Sequence, residues 1–238
     1  MEHYTALSPY LKRRFGCKVY KLSLSAGCTC PNRDGTLGAR GCIFCSGSGE
    51  FAATGSASIP EQLEQAKYIL GKKAQGAKFI AYFQDFTNTY GAVSRLEPLF
   101  LAAIEEGDVV ALSIATRPDC LPEDILRMLS RLRARKPVFV ELGLQTIHDN
   151  TAQYIRRGYP LSVFDDAVQK LHALDIEVIA HQILGLPGET AVMMSETSRY
   201  LGSVHVDGVK LHLLHVLRGT DLAREYAEGR IQTLELDT

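Results

Sequence analysis

The sequence has almost no net charge, because 26 lysines and arginines stand against 27 aspartates and glutamates, for a formal charge of −1. A chain so balanced has no overall field to attract nucleic acid, although a local basic patch is compatible with it. No apolar run approaches the roughly 20 residues of a membrane span, and residues 1–16 lack the apolar stretch of a signal peptide. We therefore expect a cytoplasmic protein with no membrane partner.

The sequence does have six cysteines, which in a reducing compartment indicate metal or redox chemistry rather than disulfides. Four of them lie within one stretch, residues 27–45: Cys28, Cys30, Cys42 and Cys45. This stretch has four glycines and no hydrophobic period, so it is predicted to be a loop. A loop this long needs something to hold it, and thiolates that converge on a metal would do so.

Six short apolar runs follow one another along the chain, and each is followed by a loop and a helical pattern. The predicted strands are residues 19–24, 78–83, 109–115, 138–144, 177–184 and 206–214. Strands this apolar are covered on both faces, as in parallel sheets. Strict alternation of strand and helix predicts right-handed βαβ units. Six such units make an α/β fold with an open parallel sheet, either a partial (β/α)6 TIM-like barrel or a doubly wound sheet.

The helix after the cysteine loop has the clearest start. Ser58 is its expected N-cap, Pro60 lies in its first turn and Glu61 completes a capping box. Residues 46–58 are expected to be a flexible linker because they are rich in glycine, serine and alanine. The residues before the first strand form a polar segment with no predicted helix. The other predicted helices are 93–105, 122–134, 149–156, 162–174, one ending near 201, and 221–228.

The cysteine pattern C-x-C…C-x-x-C fits two kinds of metal site. Four thiolates complete a closed tetrahedral zinc site. Three of them, Cys30, Cys42 and Cys45, can instead hold a four-iron cluster with one iron open to a ligand. Two features favour the open cluster: the loop follows a strand, where α/β enzymes place their chemistry, and Phe44 offers an aromatic ring to cover a flat ligand. The residues alone leave both sites open.

Several ordered strings extend the pattern: CPNRDGT, GCIFC, AYFQ, ATRPDCLP, ELGLQT and HQILGLPGE. Together they resemble the radical S-adenosylmethionine (SAM) superfamily over about residues 15–229. The long insert between Cys30 and Cys42 is similar to the branch of the Elongator catalytic subunit, and the strings resemble the bacterial YhcC/YtqA-type group. The resemblance implies a single radical SAM core domain over residues 1–238, with a cluster loop at 27–57. It also implies a C-terminal portion beyond this sequence.

The resemblance implies that Cys30, Cys42 and Cys45 bind a [4Fe-4S] cluster, with Cys28 left out. One electron, from a donor such as flavodoxin or ferredoxin, would cleave SAM to methionine and a 5′-deoxyadenosyl radical. The radical would then abstract hydrogen from a substrate. The similarity to the Elongator branch makes RNA a candidate substrate.

The resemblance also implies SAM contacts at the strand ends. Glu141 and Gln145 would contact the ribose and methionine parts, Arg157 the carboxylate, His181 the ribose and Gln84 the amino group. Each has a plainer explanation: a strand-end polar pair, an arginine that answers a helix dipole, or a core histidine. The full expected set is Phe44, Gln84, Glu141, Gln145, Arg157, His181 and His212.

Two functions are therefore compared below. The first is a radical SAM enzyme that acts on an unidentified substrate. The alternative is a zinc-stabilised α/β module that binds RNA or another ligand without catalysis. Replacing Cys28 by alanine separates the two, because a four-cysteine zinc site would fail and a three-cysteine cluster would survive.

Overall fold

The computed structural model describes residues 4–47 and 57–235 and contains the six predicted strands. They are β1 (Val19–Leu24), β2 (Lys78–Phe83), β3 (Val109–Thr116), β4 (Val138–Gln145), β5 (Glu177–Leu184) and β6 (Gly208–Leu213). Their order in the sheet is β1-β2-β3-β4-β5-β6, the same as their order along the chain. The predicted strand ends agree with these bounds to within two residues.

The described residues form eight α-helices. They are α1 (Leu7–Phe15), α2 (Ile59–Leu70), α3 (Val93–Glu105), α4 (Glu123–Arg133), α5 (Asp149–Tyr154), α6 (Leu161–Ala173), α7 (Ala191–Ser203) and α8 (Asp221–Ala227). Short 3-10 turns follow α2 at Gly71–Ala74 and β3 at Pro118–Cys120. No helix in this described part of the chain is long and apolar enough to cross a membrane.

Helix α1 is the one helix that the sequence patterns did not predict. Leu7, Tyr10, Leu11 and Phe15 recur in it at helical spacing, although only Leu11 is buried. Its end carries ordinary signals, with basic residues in the last turn and Gly16 in the left-handed region at φ 71°. The expectation of a polar segment without a helix is therefore wrong.

The start of α2 is as predicted. The backbone N–H of Ser58 donates to Oε2 of Glu61 at 2.8 Å, and Pro60 lies in the first turn. This arrangement satisfies a donor that the first helical turn leaves without a partner. Most of the predicted linker, residues 48–56, lies outside the described residues.

The described residues divide into two compact units. The first comprises residues 4–28, 57–115 and 123–139 and contains β1 to β3 and α1 to α4. Here β1 pairs in parallel with β2, and β2 pairs in parallel with β3. Phe83 of β2 packs edge-on against Phe100 of α3, with ring centroids 4.8 Å apart. The sheet therefore has a helix-covered apolar face, as its apolar strands required.

The second unit comprises residues 29–47, 116–122 and 140–235 and contains residues 29–45 of the cysteine loop, most of β4, β5, β6 and α5 to α8. Strands β5 and β6 pair in parallel, with His181 opposite Lys210 and Ile183 opposite His212. Alternation along the strands puts these four side chains on one face. A buried core joins the loop to this face, formed by Ile43, Ile155, Ile183, Leu186, Leu214, Leu222 and Ile231.

Candidate functional site

The turn between Cys42 and Cys45 is held by main-chain hydrogen bonds. Within it, the N–H of Cys45 donates to the carbonyl of Cys42 at 3.0 Å. One of the two residues between them is Ile43. Its N–H donates to the carbonyl of Ile155 at 3.3 Å, and its carbonyl accepts from the N–H of Leu222 at 3.0 Å. The side chain of Ile43 is also buried. The positions of both cysteines are therefore set by the end of α5 and the start of α8.

A second turn begins at Cys30. Its carbonyl accepts from the N–H groups of Arg33 at 2.8 Å and Asp34 at 3.2 Å. The residues between Cys30 and Cys42 then fold back onto this turn, since the N–H of Gly41 donates to the carbonyl of Asn32 at 2.7 Å. The guanidinium of Arg33 donates to the carbonyl of Cys45. Hydrogen bonds thus tie the Cys30 turn to the Cys42–Cys45 turn.

The guanidinium of Arg33 occupies space that only glycine leaves free. A Cβ on Gly41 would lie 2.9 Å from Nε of Arg33, and a Cβ on Gly47 would also meet the guanidinium. Both glycines have left-handed backbones, with φ values of 72° and 68°. The sequence shows these glycines and Arg33, but it does not show that they are in contact.

The three thiols of the loop influence one another. The pKa of Cys42 is raised to about 11, mainly by burial and also by the charges of Cys45 and Cys30, while a hydrogen bond from Asn32 and the charge of Arg117 oppose the shift. Three neighbouring thiolates repel unless a cation neutralises them, and cysteines bind metals as thiolates. Among the residues that the structure describes, no His, Cys, Asp or Glu group of three or more is arranged for a single metal ion. Cysteine thiolates are the ligands that iron–sulfur clusters take.

Cys28 has different surroundings. It belongs to the first unit, is buried, and its Sγ accepts a hydrogen bond from Nη2 of Arg95 at 3.1 Å. Nη1 of Arg95 donates to the carbonyl of Ala26 at 2.7 Å. Burial raises the pKa of the Cys28 thiol. The protein therefore supplies this sulfur with a partner of its own.

A polar cluster lies on β4, β5 and β6. Glu141 is fully buried, and its Oε2 lies 2.7 Å from Nε2 of His181 and 3.7 Å from Nζ of Lys210. The rings of His181 and His212 have centroids 5.0 Å apart. A glutamate within an apolar strand is costly to bury without a partner, and here a histidine and a lysine converge on it.

His212 is the least satisfied member of this cluster. Its Nε2 is buried and has no hydrogen-bond partner among the described residues. Burial, followed by the charges of His181 and Lys210, lowers the pKa of His212 to about 4, although Glu141 opposes the shift and His215 adds to it. The ring is therefore neutral at neutral pH. A buried nitrogen without a partner costs free energy, and a ligand group that bonded to it would recover that cost.

Gln145 ends β4 in a left-handed backbone conformation, with φ of 70°. A Cβ on Gly143 would lie 2.9 Å from Nε2 of Gln145, so the side chain of Gln145 lies over Gly143. By strand alternation, that is the side to which Glu141 points. The structure thus brings Gln145 toward the face that carries the polar cluster.

Arg157 is 3% exposed and bonded to the main chain. Its Nη1 donates to the carbonyl of Thr146 at 2.6 Å and its Nε to that of Tyr159 at 3.0 Å. Its guanidinium also lies 4.8 Å from the centroid of the Tyr159 ring. These contacts hold the loop after β4, and a pocket of about 470 Å³ opens against the same turn.

The other two predicted SAM contacts lie apart from this cluster in sequence. Gln84 directly follows β2 in the first unit, where its N–H donates to the carbonyl of Leu24 at 3.4 Å. Phe44 is half-buried and packs against the core cluster that includes Ile43. Phe44 thus serves the loop's packing, and its predicted contact with a flat ligand stays a prediction.

Several polar contacts near the site were not predicted. The buried hydroxyl of Thr146 donates to Glu189, which joins the loops after β4 and β5. Nη1 of Arg117 donates to the carbonyl of Arg157 at 2.9 Å. Arg117 also forms a two-point ion pair with Asp119, at 2.9 and 2.7 Å. Tertiary hydrogen bonds of this kind leave no periodic signal in a sequence.

Comparison with known proteins gives a family. Residues 32–201 match the radical SAM superfamily. The uncharacterized protein YtqA of Bacillus subtilis (strain 168) is 42% identical over 99% of this chain and 74% of its own length. Protein YhcC of Escherichia coli (strain K12) is 37% identical over 95% of this chain and 73% of its own. A tRNA uridine(34) acetyltransferase of Methanocaldococcus jannaschii is 29% identical over 63% of this chain and 28% of its own.

Solved structures show the same fold at lower identity. Elp3 of the archaeon Methanocaldococcus infernus, with residues 1–46 deleted, matches 91% of this chain and 50% of its own at a TM-score of 0.66 and 19% identity. The radical SAM enzyme coproporphyrinogen III oxidase (HemN) of Escherichia coli matches 92% and 48%, at 0.58 and 16%. The chain thus spans about three quarters of YtqA and YhcC and about half of these structures.

These comparisons confirm the predicted fold class and the predicted resemblance. The fold is an open half-barrel of six parallel strands with helices, as in the solved radical SAM structures. The match over residues 32–201 and the identity with YtqA and YhcC establish the family. The chain belongs to the radical SAM superfamily, for which an iron–sulfur cluster and SAM are the general cofactors.

Proposed function

We propose that this chain is a radical SAM enzyme in which Cys30, Cys42 and Cys45 hold a [4Fe-4S] cluster. The observation that carries the proposal is the cysteine loop. Its two turns are held by main-chain bonds, and its three thiols interact through their charges. Membership of the superfamily supports the choice of a cluster rather than zinc. We take residues 1–238 as one radical SAM core.

The chemistry that the cofactors supply when bound is a one-electron cleavage. Held by Cys30, Cys42 and Cys45, the cluster together with SAM would supply reductive cleavage of the C5′–S bond and, through it, removal of a hydrogen atom from the substrate. The electron comes from an external protein donor such as flavodoxin or ferredoxin. We place this chemistry in the cytoplasm, where thiols stay reduced.

The residues of β4, β5 and β6 bind SAM in this proposal. Glu141 accepts from a ribose hydroxyl while His181 and Lys210 keep its side chain in place, at 2.7 and 3.7 Å. His212 bonds to the ligand through Nε2, the buried atom for which the described part of the chain offers no partner. Gln145 contributes its amide from the end of β4. A ligand that satisfies Nε2 of His212 recovers about 1–3 kcal/mol.

Three further residues complete the proposed SAM site. Arg157 faces the SAM carboxylate while its Nη1 and Nε keep the loop after β4 in place. Gln84 bonds to the amino group, and Phe44 covers a flat part of the ligand. These three assignments are taken from the motifs of the family and not from a contact with a ligand. Each is tested by substituting that residue alone and measuring SAM binding.

RNA is the proposed substrate class. The similarity to a tRNA uridine(34) acetyltransferase and to Elp3 supports it. The net charge of −1 adds no electrostatic support. Anaerobic incubation with SAM, a reductant and candidate RNAs should increase the release of 5′-deoxyadenosine. If RNA changes neither SAM turnover nor binding, the substrate is not RNA, and the cleavage chemistry is unaffected by that result.

Metal analysis tests the proposed function directly. Protein purified without oxygen should be brown, contain iron and sulfide in equal amounts, and bleach with dithionite. Cys28→Ala should keep its iron, because the Cys28 sulfur bonds to Arg95, whereas Cys45→Ala should lose it. A colourless protein with stoichiometric zinc that Cys28→Ala abolishes would establish the alternative, a zinc-stabilised binding module.

A further inference from the structure

Asn32 contacts a proposed cluster ligand and has no part in the SAM site. Its side chain is 5% exposed. Its Nδ2 lies 2.7 Å from the carbonyl oxygen of Arg156 and 3.5 Å from Sγ of Cys42. The carbonyl of Arg157 is also 3.5 Å away. A buried amide with these neighbours acts on the Cys42 sulfur directly.

The orientation of the Asn32 amide follows from its neighbours. A carbonyl oxygen accepts hydrogen bonds and never donates them. The atom 2.7 Å from the Arg156 carbonyl must therefore be the amide nitrogen, because an oxygen there would set two acceptors against each other. It follows that the same NH₂ group faces the sulfur of Cys42.

The turn at residues 156–158 is shaped to receive this amide. Arg156 and Gly158 have left-handed backbones, with φ of 58° and 82°. Such a conformation costs about 1–2 kcal/mol for a residue with a Cβ. A Cβ on Gly158 would lie 2.9 Å from Oδ1 of Asn32. The strained turn therefore aims the Arg156 carbonyl at Asn32, and Gly158 leaves room for the amide.

This amide matters most when Cys42 is a thiolate. The sulfur lies 3.7 Å from the Arg156 carbonyl, to which a thiol donates. A metal-bound thiolate has no proton to donate and meets that carbonyl as a second negative group. The NH₂ group of Asn32 bonds to both and offsets their repulsion. Hydrogen bonds to cluster sulfurs also set the reduction potential, since a donor stabilises the more negative, reduced state.

We propose that Asn32 is a positioning residue that holds the Cys42 sulfur through an N–H···S hydrogen bond and raises the reduction potential of the cluster. The inference rests on the proposed function, because it requires a cluster at Cys42. It goes further by assigning control of the potential to a residue that binds neither iron nor SAM.

Two variants separate the hydrogen bond from charge. Asn32→Leu has a similar shape, no charge and no donor, and Asn32→Asp replaces the donor by a carboxylate. The matched controls are Asn150→Leu and Asn150→Asp at an exposed asparagine of α5. For each reconstituted protein we would measure iron content, the unfolding midpoint, and the midpoint potential by redox titration followed by electron paramagnetic resonance (EPR).

Both Asn32 variants should shift the midpoint potential to more negative values, and both controls should match the unaltered protein. Equal potentials in all five proteins would overturn the inference. A shift in Asn32→Asp alone would also overturn it, because charge rather than the hydrogen bond would then be responsible. A merely structural role for Asn32 would change the unfolding midpoint and leave the potential of the loaded protein unchanged.

A measurement on the unaltered sequence decides the case if the Asn32 variants do not hold a cluster. The chain has three asparagines, Asn32, Asn88 and Asn150. With ¹⁵N-asparagine, pulsed EPR of the reduced protein should show a ¹⁵N coupling that persists in Asn150→Asp. Its absence would overturn the inference. If the unaltered protein binds no iron, the proposed function itself fails, which is a different result from a loaded cluster without the coupling.

Discussion

Residues 29–45 of the cysteine loop and the polar cluster on β4, β5 and β6 belong to the same compact unit. Their polar groups differ in how fully they are hydrogen-bonded within the protein. In the loop, both main-chain groups of Ile43 are bonded, and Asn32 and Arg33 bond to Cys42 and Cys45. In the strand cluster, Nε2 of His212 is buried without a partner among the described residues. These polar groups of the loop are bonded within the protein, whereas the polar cluster on the strands keeps one nitrogen to which a ligand can bond.

The difference has a physical cause. A loop without an apolar face must be held by hydrogen bonds, because buried main-chain groups need partners. The main-chain groups of a strand are hydrogen-bonded to the neighbouring strands. Its side chains are therefore not needed to hold the main chain, and one of them can keep an atom for a ligand. Cofactor positioning is therefore expected to depend on the loop, and ligand recognition on the strands.

The largest expected effect comes from removing one sulfur of the loop. Cys42→Ser should lose nearly all bound iron, because a hydroxyl is a poor iron ligand. The main-chain bonds of Ile43 should keep the turn folded, so the unfolding midpoint of the metal-free protein should change little. Iron analysis after anaerobic reconstitution measures the first effect, and Cys28→Ser is the control. Wild-type iron content in Cys42→Ser would show that the loop does not hold a cluster.

A smaller effect is expected from breaking the strand cluster. Glu141→Ala leaves His181 and Lys210 without their shared carboxyl group, and the protein should lose about 2–4 kcal/mol of unfolding free energy. Urea denaturation measures this loss. Glu196→Ala is the control, because the side chain of Glu196 is 47% exposed and lies 3.7 Å from His148 in a surface pair. If Glu141→Ala leaves the unfolding free energy unchanged, Glu141 does not hold the polar cluster together.

The contact between Arg33 and the Cys45 carbonyl is expected to contribute less. Arg33→Gln should lower the unfolding free energy by about 1–2 kcal/mol, since a charged hydrogen bond to a partly exposed carbonyl is lost. Arg224→Gln, at a side chain 58% exposed, should change it by less than about 0.5 kcal/mol. Denaturation of the metal-free proteins gives both numbers. Equal effects in the two variants would contradict a specific clamp on the loop.

The last expected effect is on pH dependence. The pKa of His212 is lowered to about 4 in the folded protein, from an ordinary value of 6.5. Between these values the unfolded chain binds a proton that the folded chain does not, so His212 lowers stability as the pH falls from about 6.5 to 4. His212→Gln should make stability less dependent on pH in this window. Urea denaturation at several pH values measures the slope, and the exposed His205→Asn should leave it unchanged.

Much of the fold was predictable from apolar runs and capping residues. The six strands follow from runs such as 78–83 and 177–184, because burial on both faces leaves little choice of residue. Helix α1 was missed although Leu7, Tyr10 and Leu11 stand at helical spacing, because its nine residues include three basic ones and give only a short pattern. A short pattern of this kind is a weaker local signal than a long apolar run.

The candidate site was predictable only in part. Glu141 and His181 stood out as polar residues in apolar strands, and the structure brings their side chains to 2.7 Å. Asn32 and Arg33 did not stand out, since polar residues are ordinary in a loop. Their importance depends on the carbonyls of Arg156 and Cys45, which are distant in sequence or turned by the fold.

The sequence by itself determined the order of strands and helices, the three closely placed cysteines and the family, because these depend on residue types and spacing along the chain. The tertiary structure decided which partners each group has. It placed Arg95 against Cys28 and Asn32 against Cys42, and within residues 4–47 and 57–235 it placed no partner against Nε2 of His212. Hydrogen bonds between distant segments are set by how the chain packs, and no local pattern encodes them.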